Sequence, residues 1–252
     1  MILTKSKALA RRLPPFVREP LARLYRYLAA RTPAQAARRR WLDDYVDFAQ
    51  RQREYVFRSI ARFCNINRPS EGYYFEFGCH GANTMRLAWQ NSRHLFNWTY
   101  VGFDSFQGLP EIAEIDRQAI WAKGRLRTEE SDFRRAIEAA GMPAERLITV
   151  KGFYDQSLTP QLRDKFRPAT AAVIYVDCDL YQSTVPVLEF SKDFLRVGTV
   201  VVFDDWFCFN GDPRRGEQRA WAEFRARYPQ LEFVDFVSTN EAKAFICIGT
   251  AA

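Results

Sequence analysis

Long apolar runs are missing from this chain. None approaches the roughly 20 residues that a membrane-spanning helix requires, which excludes a helical membrane span. The first residues lack an uninterrupted apolar segment followed by small residues, so a secretory signal is not expected. Cysteine is sparse: Cys64, Cys79, Cys178, Cys208 and Cys247 are odd in number and scattered, and none forms a C-x-x-C pair. That pattern argues against a disulfide framework and against a zinc site, and it fits a reducing, cytoplasmic setting. Histidine is scarcer still. His80 falls in a glycine turn and His94 follows a helix, so neither is well placed as a base. There is no strict G-x-G-x-x-G and no obvious pyrophosphate cradle. Internal repeats and low-complexity segments are also lacking.

The formal net charge of +7 is unevenly spread. Residues 1 to 40 hold eleven Lys or Arg and one acid, Glu19, so they carry about +10 and leave about −3 for the rest. The high isoelectric point therefore describes an arm. Leu21, Leu24, Tyr25 and Leu28 recur at helical spacing among Arg18, Arg23, Arg26 and Arg31, which predicts a short basic amphipathic helix ended by Pro33. A second helix is expected from Trp41 to Phe63, with Tyr45, Phe48, Ala49, Val56 and Ile60 on its buried side. The expected division is a basic helical arm over 1–45 and a catalytic domain over 46–252.

From Tyr73 onward strands and helices alternate, the signature of a parallel sheet with helices on both faces. Strands are predicted at 73–77, 99–103, 147–150, 172–176 and 199–203. Helices are predicted at 84–92, 131–140 (Ser131 or Asp132 near its cap), 186–195 and 217–227. Residues 111–128 look irregular and suit a lid. Two further strands, 231–237 and 243–248, form a terminal hairpin. The expected fold class is α/β: five parallel strands and a terminal hairpin match the Rossmann-like class I methyltransferase fold, a seven-stranded, mostly parallel sheet whose last strand is antiparallel, here with an added N-terminal helical arm.

Two strand ends carry the most chemistry. Val176-Asp177-Cys178-Asp179 ends the fourth strand and Phe203-Asp204-Asp205-Trp206 the fifth. Ligands bind outside the carboxyl ends of strands in such sheets. Carboxylates gathered there repel one another and call for a cation, a shared proton or a hydrogen-bond network. An oxygen-loving divalent ion such as Mg²⁺ held by Asp177, Asp204 and Asp205 is one reading. The other is that Asp179 and Asp205 cap the helices that follow. A glycine turn, Glu76-Phe77-Gly78-Cys79-His80-Gly81-Ala82-Asn83-Thr84, follows the first strand, and Asp104 ends the second. Gly78 and Gly81 would let the backbone turn sharply, Glu76 could hold a cationic amine, and Asp104 sits where a carboxylate meets ribose hydroxyls. An adenosine-containing cofactor fits. S-Adenosylmethionine needs no phosphate cradle, whereas NAD does.

These motifs together resemble the macrocin O-methyltransferase family over about residues 71–225. The resemblance rests on Phe75-Glu76-Phe77-Gly78, on the segment from Gly102 to Glu111, on Gly152-Phe153-Tyr154-Asp155-Gln156-Ser157-Leu158, and on the segment from Val176 to Thr184. Asp204-Asp205-Trp206 and Gly216-Glu217-Gln218-Arg219-Ala220 complete it. It implies an S-adenosylmethionine- and Mg²⁺-dependent methyltransferase acting on a sugar hydroxyl. By position it implies Asp177, Asp204 and Asp205 as metal ligands and Asp177 or Asp179 as base. The cofactor would be surrounded by Glu76, Gly78, Gly81, Asn83, Thr84, Asp104, Ser105, Phe106, Gly152, Phe153, Asp155 and Asp177. Trp206-Phe207-Cys208-Phe209 and residues 111–128 depart from the family pattern. Trp121, Trp206 and Phe207 are candidates for sugar stacking, with core packing as the other reading.

Two alternatives stand beside this one. A catechol-type O-methyltransferase would use similar metal chemistry on planar vicinal hydroxyls. A non-catalytic binding protein would dock on acidic surfaces through the arm. The expected partners are a small-molecule or glycan acceptor, no nucleic acid, a second copy of the chain in a homo-oligomer, and peripheral membrane contact through residues 1–40. An acidic site and the lack of an Asn-Pro-Pro-aromatic motif speak against a nucleic-acid substrate.

Overall fold

The computed structural model describes residues 33–250. The predicted helix over 21–28 and most of the basic arm lie outside the described residues. The chain divides into two compact units, 1–51 and 52–252. Helix α1, Pro33–Ile66, runs through the division. In the first unit Trp41 stacks on Tyr45 one turn later, with ring centroids 5.5 Å apart. Tyr45 and Phe48, expected to be buried, are 61% and 44% exposed, whereas Val56 and Ile60 are buried as expected. Helical periodicity marks a face that can be covered and does not say how far the cover extends.

The second unit is a seven-stranded sheet between two helical layers. Its strands are β1 Tyr73–Phe77, β2 Thr99–Asp104, β3 Leu147–Lys151, β4 Ala171–Val176, β5 Val200–Phe203, β6 Glu232–Ser238 and β7 Lys243–Gly249. Their order is β3-β2-β1-β4-β5-β7-β6, with β1 to β5 parallel and β7 antiparallel to both of its neighbours. The remaining helices are α2 Asn83–Ser92, α3 Glu130–Ala139, α4 Tyr154–Ser157, α5 Pro160–Phe166, α6 Tyr181–Ser191 and α7 Gly216–Arg227.

The central strands are apolar along their length because both faces are covered. Alternate side chains go to opposite layers. Tyr74, Tyr100, Val173, Tyr175 and Val202 meet Val56, Phe57 and Ile60 of α1 and Met85 and Trp89 of α2. Phe75, Phe77, Phe103, Ile174 and Phe203 meet Phe190 of α6 and Trp221 and Phe224 of α7. Burying each such phenylalanine contributes about 2–3 kcal/mol. Gly102 of β2 has no room for a side chain: a Cβ there would stand 2.9 Å from the Cys79 sulfur and 3.3 Å from Phe133.

The predicted strands agree with the observed ones to within a residue at most ends. One helix does not. It was expected to begin at Pro186, yet α6 begins at Tyr181 and carries Pro186 inside. No side chain of its own segment caps it. Its first amides, those of Tyr181 and Gln182, donate instead to the two oxygens of Asp116 at 2.8 and 3.0 Å. Helix α3 likewise lacks a side-chain cap, and Ser131 and Asp132 fall within its first turn.

Residues 111–128 are irregular, as expected, apart from a 3₁₀ turn at Glu114–Asp116. They are also well anchored. Leu109 and the Gly124-Arg125 backbone exchange two hydrogen bonds of 2.8 and 2.9 Å, and Arg215 donates to the carbonyls of Ile115 and Arg117. Trp121 packs with Leu109, Leu180 and Phe209. Among the described residues no helix is long and apolar enough to cross a membrane.

Candidate active site

Register places the site. Phe77 pairs with Val176 and Val176 with Phe203, so the next residues, Gly78, Asp177 and Asp204, stand side by side one step beyond the strands. The ladder continues through them: Asp177 N–H donates to the Phe77 carbonyl at 2.8 Å and Asp204 N–H to that of Val176 at 2.9 Å. Neighbouring strands lie about 4.8 Å apart, which brings these carboxylates into each other's reach. One oxygen each of Asp177, Asp204 and Asp205 lies within 4.8 Å of the others. They line a cleft of about 860 Å³ together with the glycine turn, Asp104, Gly152, Phe153 and the 120–126 stretch. That volume suits a nucleoside-sized ligand with an acceptor beside it.

Gly78 makes the turn feasible. Its φ is +90°, and a Cβ there would lie 1.7 Å from the Asp177 carbonyl oxygen. Gly81, expected to serve likewise, does not. Its backbone is ordinary and a Cβ would meet only Asn83 Nδ2, at 3.7 Å. His80 and Ala82 take the positive φ angles instead, 28° and 64°. The reason is Asp104, whose carboxylate holds the turn by accepting the amides of Cys79 at 2.7 Å, His80 at 3.3 Å and, on its other oxygen, Phe106 at 2.6 Å.

The other expected cofactor residues divide into two groups. Asn83, Thr84, Asp104, Ser105, Gly152, Phe153, Asp155 and Asp177 are on the cleft wall. Ser105 spends its hydroxyl on its own turn, donating to Gly108 O at 2.8 Å. Glu76 and Phe106 are off the wall. Phe106 is buried against Phe133. Glu76 is fully buried beneath the turn, where Tyr74 donates to its Oε2 at 2.6 Å and Oε1 has no partner. Burial pushes its carboxyl up to about 8. Trp121 is on the wall with its indole N–H buried and unpaired. Trp206 is not. It packs on Phe203 and Phe245 under Lys243, and Phe207 is 45% exposed.

The acidic cluster is strongly perturbed. Burial first, and then the charges of Asp204 and Asp205, hold the Asp177 carboxyl well above the usual range. Burial and Asp205 do the same to Asp179, whose φ of 62° is left-handed. Asp205 is pushed up to about 6 by burial and by Asp204. Asp205 accepts the Asp179 amide at 3.1 Å, and its own amide donates to Glu217 at 3.1 Å. Neither Asp179 nor Asp205 caps a following helix through its side chain, since Asp116 holds α6 and α7 has no side-chain cap.

Sequence reasoning did not assign roles to Arg53, Tyr175, Asp116 and Glu217. Asp204 is 3% exposed. Its Oδ2 accepts Arg53 at 2.8 Å and its Oδ1 accepts Tyr175 at 2.5 Å. Glu217 is fully buried, with Oε1 unpaired. Only Glu217 had a local signal, its place in a motif that resembles the family.

A cation fits this donor set. The three ligands are hard carboxylate oxygens, no hydrogen bond from the described residues engages the Asp177 carboxylate, and the repulsion that adds to burial in raising Asp177 and Asp205 is what a divalent ion relieves. The side with Gly78, Asp104 and Gly152 holds one carboxylate and no phosphate cradle, since the Gly78 and Gly152 amides already donate to the carbonyls of Phe103 and Asp104; such a wall suits a nucleoside bearing hydroxyls.

The model of the macrocin O-methyltransferase family (TylF) matches residues 81–235. The chain belongs to that family. It is an O-methyltransferase of the macrocin type. Solved structures share its fold. The O-methyltransferase NovP is 21% identical, with a TM-score of 0.61 over 78% of this chain and 80% of that one. CalS11, a calicheamicin methyltransferase, is 19% identical, with a TM-score of 0.63 over 96% and 90%. TomG from Streptomyces achromogenes, solved with SAM, is 14% identical, with a TM-score of 0.51 over 77% and 79%. No curated protein matches the chain. For this macrocin-type methyltransferase the seven-stranded sheet with its antiparallel β7 is the expected architecture.

Proposed function

We propose that this enzyme transfers a methyl group from S-adenosylmethionine to a sugar hydroxyl of a small-molecule or glycan acceptor, with a divalent metal ion, Mg²⁺ or similar, in the site. The observation that carries the reading is one cleft with two halves: a glycine turn clamped by Asp104, and, a strand away, the carboxylates of Asp177, Asp204 and Asp205. Support for a sugar acceptor comes from the family and from the relative named as a TDP-rhamnose 3'-O-methyltransferase.

Asp177, Asp204 and Asp205 would hold the ion. When bound, it would lower the pKa of an acceptor hydroxyl and carry the charge that develops on its oxygen. The protein's own groups supply the rest. The wall from Asn83 to Phe153 would hold the donor, with Asp104 accepting from ribose hydroxyls. Asp179 or Asp177 would take the acceptor's proton; a carboxyl held well above its usual range is better matched to neutral pH than an ordinary aspartate. The anchored 111–128 segment would cover the acceptor and keep water out, with the Trp121 ring on the cleft wall.

The test is methyl transfer from labelled S-adenosylmethionine to a panel of glycosides and nucleotide sugars, alongside small catechols. Activity should vanish with EDTA and return with Mg²⁺, and only acceptors bearing a sugar should be methylated. Turnover indifferent to chelation would remove the metal, and turnover of free catechols would favour the planar-diol chemistry.

A further inference from the structure

Arg53 is the one basic side chain ion-paired with the acidic cluster among the described residues. Its Nη2 and Nε reach Asp204 Oδ2 at 2.8 and 3.2 Å, and Nη2 stands 3.7 Å from Glu241. The guanidinium lines the cleft with 26% of its side chain exposed. Tyr175 holds the other Asp204 oxygen. Asp204 is thus gripped from both sides, while Asp177 has no hydrogen bond to its carboxylate from the described residues. Both Arg53 donors fall on Oδ2, so Oδ1, whose one close partner is the Tyr175 hydroxyl, is the Asp204 oxygen that keeps a lone pair for a ligand role.

We infer that Arg53 is a positioning residue that fixes the Asp204 carboxylate and, as a resident cation, holds down the affinity of the site for a divalent ion. This rests on the metal reading above. With Arg53 present, the three ligands and the guanidinium together carry −2, which a divalent ion neutralises. Without it they carry −3. A fixed unit charge in contact with one ligand repels a divalent ion a few ångströms away. Such a site binds weakly until acceptor hydroxyls add ligands, which couples metal retention to acceptor binding. Lysine would keep the charge and lose the two-point grip.

The experiment is Mn²⁺ binding to the full chain with S-adenosylhomocysteine present, followed by electron paramagnetic resonance of the free ion and repeated in competition with Mg²⁺. Circular dichroism checks folding. Arg53→Met should bind Mn²⁺ about tenfold more tightly or better, and its unfolding temperature should rise more on Mn²⁺ addition than that of the wild type. Arg53→Lys should stay within about threefold of the wild type. Damage to the fold cannot tighten a metal site, so tightening speaks for the charge itself. Equal or weaker binding by a folded Arg53→Met, or a tenfold tightening in Arg53→Lys, would overturn the inference while leaving the metal reading intact. Absence of Mn²⁺ binding in the wild type and all variants would overturn both.

Discussion

Replacing Glu76 by glutamine should stabilise this protein, and more so as the pH rises. Glu76 is fully buried and its Oε1 has no partner. Burial, partly offset by the Tyr74 hydroxyl, raises its carboxyl to about 8, against 4.5 for an exposed glutamate. The folded protein therefore holds a proton that the unfolded chain has released by pH 7. Below pH 4.5 both states are protonated and folding bears no penalty. Above it the penalty grows by about 1.4 kcal/mol per pH unit, reaching on the order of 3 kcal/mol at pH 7, and levels off above pH 8. Glutamine mimics the neutral acid and carries no such penalty. Urea unfolding of both proteins, with chelator present, between pH 5 and 8.5 should show a stability difference of under about 1 kcal/mol at the acid end. By pH 8 the difference should reach several kcal/mol in favour of Glu76→Gln. The buried acids Asp177, Asp179, Asp205 and Glu217 slope the same way, but they are common to both proteins and cancel in the difference. A difference that does not change with pH, or a variant less stable at pH 8, would refute the reasoning.

Gly78→Ala should cost more than about 3 kcal/mol and abolish S-adenosylhomocysteine binding, because its Cβ would overlap the Asp177 carbonyl. Gly81→Ala should be nearly neutral in the same thermal unfolding and titration experiments. Asp116→Ala should remove both hydrogen bonds at the start of α6 and cost about 1–3 kcal/mol by denaturation. It should also speed proteolysis within 111–128, and Asp116→Asn should recover part of the loss.

The sheet and the acidic cluster were readable because both are local. Strands buried on two faces read as apolar runs, and a carboxylate at the end of such a run is at the edge of the sheet by construction. Asp177 and Asp204 needed only the inference that β4 and β5 are neighbours. What holds those carboxylates could not be read that way. Arg53 reaches Asp204 across 151 residues and Asp116 reaches Gln182 across 66. No window of sequence contains both members of either pair. The misplaced start of α6 has the same origin: Pro186 looked like a first-turn proline only because the true cap came from elsewhere. Gly81 misled for the opposite reason. It has a glycine's freedom, but Asp104 pulls the neighbouring amides of Cys79 and His80 inward and so forces the unusual angles onto His80 and Ala82. In both places a distant carboxylate set the backbone that local chemistry was expected to set. These acids therefore do two kinds of work: Asp104 at the end of β2 and Asp116 in the 3₁₀ turn take up backbone amides, and that leaves Asp177, with no hydrogen bond to its carboxylate among the described residues, as the group best placed to meet a ligand.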